Sequence, residues 1–330
     1  MLGTAMNKRV VLHHLGEKPD LVIHRILEET GILSLIDRNT RVAIKPNLTY
    51  PYYKKGVTTS PEVIRETVRV LKDYTPHLAI VESDGGYGVW QAMEAFQGHG
   101  LVEMAKEMGF QIVNLSTEAR EPVQFESRGR LFSVPLPCFL LQETDLLMTM
   151  PVPKVHVMTG LSLSLKNQWG CIPDAMRLRY HHLFNEAILA VNKVLKPVVL
   201  ADGTFFLDRS GPMDGEPVLM DVLAGATDCG AFDHFMALMM GFEPAGILHF
   251  KRAMALGLMP RTLDQIDFNI HPDEARTHRF VLQRTLRNWI ALAGFKYRSI
   301  GWFGYESWFG RTVLHGLLYL IAGKPVKPKP

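Results

Sequence analysis

Short β-branched runs that stop at a proline or a polar cluster alternate along this chain with longer runs of helical period. "RVVLHH" (9–14), "RVAIKPN" (41–47), "HLAIVESDGG" (77–86), "TDLLMTMPVPK" (144–154) and "KPVVLADG" (196–203) have the length and residue types of strands. Pro46, Pro151 and Pro153 end two of them, because proline cannot donate to a ladder. Between the strands, "DLVIHRILEETGIL" (20–33), "TTSPEVIRETVRVLKDY" (58–74) and "HLFNEAILAVNKVL" (182–195) place apolar residues three and four apart. Ser60 and Pro61 mark the cap and first turn of the second helix. "LVEMAKEMGFQIVNL" (101–115) reads as a helix stopped at Gly109 and followed by a strand. This alternation predicts an α/β fold, a mostly parallel, twisted, Rossmann-like sheet flanked by helices.

Two stretches break the pattern. "PVQFES" and "RLFSVPL" predict a small β excursion, with an internal boundary near 116–140. "GEPVLMDVLAGATD" (215–228) reads as strand and loop ahead of two apolar helices, "AFDHFMALMMG" (231–241) and "AGILHFKRAMALG" (245–257). Residues 1–278 form the expected α/β core and 279–330 a basic, aromatic-rich helical tail. That tail holds nine Lys or Arg, the single acid Glu306, and Trp289, Trp302 and Trp308. Its net +8 leaves −5 for residues 1–278 in a chain whose total is +3. So small a total does not call for nucleic acid. The tail composition fits a peripheral membrane surface or a protein partner, against the plainer expectation of a terminal helix packed on the sheet.

Cys138, Cys171 and Cys229 are too few and too scattered for a disulfide framework, and no CxxC spacing exists to ligate an iron–sulfur cluster. "VVLHHLG" is too short for a signal peptide, and "VLHGLLYLIAG" (313–323) falls short of the ~20 residues that span a bilayer. The expected location is cytoplasmic, with membrane association through the tail.

Four strand candidates finish in polar side chains. The first ends at Lys45 and Asn47, the next at Glu82, Ser83 and Asp84, the third at Lys154 and His156, the fourth at Asp202. In an open parallel sheet all such ends lie on one edge, where ligands bind. "MPVPKVHVMTGLSLSLKNQWG" (150–170) then sets Lys154, His156, Lys166 and Asn167 among apolar residues. Apolar walls strengthen the attraction between a lysine and an anion and depress the lysine pKa toward that of a base. A helix starting near Thr159–Gly160 would add backbone N–H donors for phosphate or carboxylate. Lys154, His156 and Lys166 are the expected catalytic groups. Lys45, Asn47, Thr58, Thr59, Thr159, Asn167, His181 and Asp202 are the expected ligand contacts, and Glu82 or Asp84 would orient the imidazole or bind a divalent metal. The plain alternatives are that Asp84 and Asp202 cap helices, that His156 is a bonded loop histidine, and that Lys154 and Lys166 pair internally with Glu82 and Asp84. "DGGYG" and "GPMDGEP" match neither GxGxxG nor a Walker loop, and no GxSxG or HExxH is present.

These residues resemble the "domain of unknown function 362" family over roughly residues 40–260. The resemblance is carried by "MPVPKVHVMTGLSLSLKNQWGCIP", "IKPNL", "GVTTSPEV", "LADG" and "GPMDGEPVLMDVLAGATDCGAFD". Two departures stand out. The family's Lys-x-Lys-x-His is reduced to Lys154-Val155-His156, which implies a weaker anion site, and Asp208 in "FLDRS" stands where an acidic-Gly pair is usual. The ferredoxin-like module of many relatives is absent, so cluster electron transfer is not implied. The expected function is lysine- and histidine-assisted proton transfer, of isomerase or lyase type or metal-assisted, on a small carboxylate or phosphate metabolite. The alternative is a non-catalytic ligand-binding or redox accessory protein.

Overall fold

The computed structural model describes residues 8–16, 18–86, 89–127, 129–174, 177–286, 288–289, 292, 297–305 and 307–314. β1 (Arg9–His14), α1 (Pro19–Glu29), β2 (Val42–Pro46), α2 (Pro61–Lys72) and β3 (Leu78–Glu82) follow the expected alternation. Every residue of β2 and β3 is buried, as strands covered on both faces require. α3 (Ala92–Gly98) and α4 (Leu101–Met108) lead to β4 (Gln111–Asn114). Gly109, at φ 67°, ends α4 in the left-handed region that glycine adopts without strain. β5 (Arg120–Ser127) and β6 (Arg130–Pro137) pair only with each other, forming the predicted excursion as a two-stranded antiparallel sheet.

α5 (Cys138–Gln142) returns the chain to β7 (Leu146–Met150). Beyond its prolines come the short β8 (Lys154–His156), β9 (Gly160–Ser162) and α6 (Ser164–Asn167), then α7 (Phe184–Leu195). β10 (Val198–Asp208) and β11 (Glu216–Ala226) are long partners, followed by α8 (Cys229–Met239), α9 (Leu248–Ala255), β12 (Asp267–Phe268), α10 (Pro272–Ala275) and α11 (Arg298–Tyr305).

The main sheet runs β12-β1-β11-β10-β7-β2-β3-β4. β10, β7, β2, β3 and β4 are successive parallel neighbours, and β11 alone in this row lies antiparallel to those beside it. The carboxyl ends of β10, β7, β2 and β3 therefore share one edge. On one face Val11, Ile44, Ile80, Met148 and Leu223 pack with Ile26 of α1, Val68 of α2 and Met104 of α4. On the other, Val10, Val199 and Ala224 meet Ile188 of α7, Phe232 and Phe235 of α8 and Phe250 of α9. Ala43 and Leu147 share a further cluster with Val191 of α7 and with Val134 and Leu136 of β6, so the excursion is packed onto the sheet.

One strand differs from expectation. β10 does not stop at "LADG"; it bulges between Gly203 and Phe205 and continues to Asp208. Gly203 permits this because a Cβ there would come within 2.6 Å of the Val222 carbonyl oxygen. Asp202 is thus a mid-strand residue, level with the end of β7, where its N–H donates to Pro151 O at 3.0 Å.

In the tail, Trp289, Trp302, Phe303, Trp308 and Phe309 are each at least 45% exposed. Among the described residues no helix is long and apolar enough to cross a membrane. Most of the late apolar run 313–323 lies outside the described residues.

Candidate active site

Pro151 and Pro153 take the chain off the β7 path, and Lys154 then pairs with Leu207 on the extension of β10. Gly160, at φ 84°, turns β8 back into β9. The helix expected at Thr159–Gly160 is therefore displaced: those residues form the hairpin turn, where Thr159 Oγ1 donates to Leu161 O at 2.9 Å. The helix begins at Ser164. Its first N–H groups are already satisfied by Asp233 of α8, which accepts from Ser164 N (2.8 Å), Ser164 Oγ (2.6 Å) and Leu165 N (3.1 Å). They offer nothing to a ligand. Asp233 is 0% exposed, and burial pushes its carboxyl up to about 7. The role of this α8 aspartate is to fix α6, and with it Lys166 and Asn167.

A buried polar layer continues that fixation. Thr149 Oγ1 donates to Gln168 Oε1 at 2.8 Å, and Asn167 Nδ2 donates to Thr149 Oγ1 at 2.8 Å. Gln168 Nε2 donates to Asn192 Oδ1 at 3.0 Å, tying the residue that follows α6 to α7. Each group has a partner, which is the condition for a polar layer to rigidify a core.

Above this layer the strand ends open into a cleft of about 700 Å³. Of the residues expected from the sequence, Lys45, Asn47, Glu82, Lys154, His156, Thr159, Lys166, Asn167 and His181 line it. Thr58, Thr59, Asp84 and Asp202 do not. Thr59 Oγ1 donates to Met150 O (2.8 Å) and accepts from Asn47 N (2.8 Å), while Thr58 Oγ1 accepts from Lys54 N (2.9 Å). Asp202 accepts from Ser60 N (2.7 Å), Thr204 N (3.0 Å) and Thr204 Oγ1 (2.7 Å), bracing the start of α2 against β10. Asp84 accepts from Ala92 N (2.8 Å), the first residue of α3, and from Asn114 Nδ2 (3.1 Å). All four are structural ties: Thr58, Thr59 and Asp202 are not the ligand contacts expected, and Asp84 is not the metal or imidazole partner. Asp84 and Asp202 instead take the alternative expected of them and bond the starts of helices.

Glu82 pairs with Lys45 at 2.9 Å, with side-chain exposures of 8% and 1%. It also accepts from Leu48 N at 3.3 Å and Ser83 N at 3.0 Å. With Glu82 and Asp84 so engaged, the donor set does not fit the divalent metal expected of them. Among the described residues no group of three or more His, Cys, Asp or Glu could hold a metal ion. The internal pairing of Lys154 and Lys166 with Glu82 and Asp84 is also not what forms.

Arg177 was missed. It lines the cleft from a stretch, "DAMRLRYHH", with no period or motif to mark it. Its Nη1 donates to Ser83 Oγ (2.9 Å) and Ile172 O (3.1 Å), and its Nη2 to Asp84 O (2.8 Å). All three acceptors are neutral, and the Glu82, Asp174 and Asp84 carboxylates lie near enough to offset part of its charge. The lining carries Lys45, Lys154, Lys166 and Arg177 against Glu82 and Asp214, a formal excess of two positive charges.

Burial, reinforced by the neighbouring Lys166 charge, pulls both Lys154 and His156 well below their ordinary ranges. Lys154 Nζ donates to Val57 O. His156 Nδ1 accepts from Met158 N at 3.1 Å, so the neutral ring carries its proton on Nε2. Burial and the Arg177 charge bring Lys166 down to about 8. Among the described residues Lys166 Nζ has no hydrogen bond or ion pair; it lies 5.9 Å from the centre of the Phe184 ring. Trp169, stacked on His181 at 5.8 Å, forms part of the same wall. A smaller hollow of about 410 Å³ lies at the amino ends of β2 and β3, but its Arg41 is neutralised by Asp145 at 2.8 Å.

The profile of the family described as "Domain of unknown function (DUF362)" matches residues 42–237. That is more than half of the 330 residues. The chain belongs to the DUF362 family. Lys45, Glu82, Lys154, His156, Lys166 and Arg177 of this DUF362 protein all fall within the match, and its tail falls outside. A thylakoid-associated protein of Synechocystis sp. is 23% identical over 273 residues, 78% of this chain and 80% of that one. A solved structure from Thermotoga maritima is 12% identical with a TM-score of 0.40, and the match covers 76% of the DUF362 chain. The DUF362 chain spans 59% of that protein's length.

Proposed function

We propose that the strand-end cleft is the active site of an enzyme that moves a proton on a small carboxylate- or phosphate-bearing metabolite. The observation that carries the reading is Lys166, an amine delivered into an apolar-walled cleft with no partner among the described residues. The polar groups of α6 and of Thr149, Gln168 and Asn192 beneath it are tied into a satisfied network, while Lys166 Nζ has no such tie among the described residues. In the proposal Arg177 attracts the anion, and the Nε2–H of His156 donates to an oxygen on which negative charge develops. Lys154 and Lys166, both lowered toward neutral amines, take and return the proton. Incubating the protein in D2O with small carboxylates and phosphate esters tests this by proton NMR. The expected result is loss of a carbon-bound proton signal from at least one anion that also raises the melting temperature. Neither exchange nor binding across such a panel would remove the reading.

A second reading concerns the tail. We infer that it attaches peripherally to an anionic membrane surface. Supporting it are the exposed Trp302, Phe303, Trp308 and Phe309, the net +8, and Arg284 set 5.2 Å from the Trp289 ring. The Synechocystis relative is named for association with thylakoids. Exposed aromatics with interspersed cations suit the headgroup boundary. The protein should sediment with phosphatidylcholine–phosphatidylserine vesicles at low salt and be released at high salt. Absence of binding at low salt defeats this inference.

A further inference from the structure

Lys166 has the surroundings that turn a lysine into a nucleophile. Its amine faces the cleft beside the Phe184 ring, and among the described residues no acceptor or carboxylate engages it. The Arg177 guanidinium lies near enough to lower it, and the charge on Lys166 in turn lowers Lys154. An amine desolvated by an apolar wall and flanked by a second cation keeps a useful fraction of its lone pair free near neutral pH. Lys154 is the weaker candidate, since its Nζ is tied to Val57 O and its side chain is almost fully enclosed. The Arg177 guanidinium, held on Ser83, Ile172 and Asp84 at the cleft wall, is placed to draw the anionic end of a ligand. His156 presents a neutral Nε2–H that can polarise a carbonyl oxygen.

We propose that Lys166 condenses with the carbonyl group of a small carboxylate- or phosphate-bearing carbonyl compound to form an imine. This names the substrate class and the covalent step for the cleft, and it rests on the reading that the cleft takes a small anion. The Lys166 Nζ–carbon bond forms as the carbonyl π bond breaks. The two protons of the neutral amine leave with the carbonyl oxygen as one water. The imine nitrogen takes one proton from solvent and becomes a cationic iminium. No oxidant or reductant is needed. The iminium withdraws electrons from the adjacent carbon, whose proton the Lys154 amine, pulled by burial well below its ordinary range, then removes.

Reductive trapping tests the step. The full chain is incubated with pyruvate or with dihydroxyacetone phosphate, treated with sodium cyanoborohydride, and analysed by intact and peptide mass spectrometry. The expected result is one equivalent of adduct on the Lys166 peptide with the carboxylate probe, the phosphate probe or both, which separates the two sources of anion. Lys166→Arg, with an unchanged melting curve, should lose the adduct, and Lys193→Arg, at an exposed position, should keep it. Adduct retained in Lys166→Arg, or spread evenly over surface lysines, overturns the proposal. Binding and proton exchange without adduct would overturn the covalent step while leaving the proton-transfer reading intact; absence of binding, exchange and adduct would overturn both.

Discussion

Glu82→Gln should destabilise the fold by about 3–5 kcal/mol, because it strands the Lys45 ammonium in the interior. Lys45 is 1% exposed, and its Nζ donates to Glu82 Oε2 at 2.9 Å and to its neighbour Pro46 O at 3.1 Å. Removing the carboxylate charge leaves only a carbonyl and an amide oxygen to offset a buried cation. The pair also joins β2 to β3 and receives the Leu48 and Ser83 N–H groups, so the floor of the cleft should loosen with it. Urea unfolding monitored by circular dichroism measures the loss. The double variant Lys45→Met/Glu82→Gln should recover part of it, since no charge is then left unpaired in the interior. If Glu82→Gln unfolds with the wild-type midpoint, the pair is not what holds Lys45.

Lys166→Ala should have the opposite profile, with activity lost and the fold kept. Losing a positioned acid–base group typically costs about 10²–10⁴ in rate, and here the same amine is assigned the covalent step. Because Lys166 Nζ has no protein partner among the described residues, stability should change by less than ~1 kcal/mol, as for other substitutions that break no buried network. The wild-type rate should rise with pH while the amine deprotonates and level off above about 8. The sign follows from the chemistry: only the neutral amine can accept a proton or attack a carbonyl, so protonation below that point removes the active form. Lys166→Arg should not rescue the rate, since a guanidinium stays protonated throughout the range. The D2O exchange assay run on both variants from acid to alkaline pH decides the matter; undiminished exchange in Lys166→Ala would refute the assignment.

The cleft was legible in the sequence as far as strand ends were legible. Lys45, Asn47, Glu82, Lys154 and His156 follow apolar runs closed by proline or by a polar cluster, and a parallel sheet delivers such residues to one edge. What could not be decided was which of two fates, ligand contact or structural tie, each short polar side chain would take. Asp84, Asp202, Thr58 and Thr59 sit at the same edge but turn onto backbone N–H and C=O groups, a choice set by partners distant in sequence, such as Ser60 for Asp202, 142 residues away. Asp233 escaped for the same reason; its link to Ser164 spans 69 positions and carries no local signal. The antiparallel β11 between β1 and β10 was invisible because strand order is not written in hydrophobic period. Arg177 lies where there is no period at all.

The central claim is that the cleft holds an amine without a partner among the described residues and poised near neutrality. NMR titration of the protein labelled at lysine ε-carbons, with Lys166→Arg identifying the resonance, measures it directly. The account predicts a Lys166 midpoint of about 8, moving upward when a bound anion supplies the missing charge. A midpoint at the ordinary lysine value of 10.5, unmoved by any small carboxylate or phosphate, would contradict it.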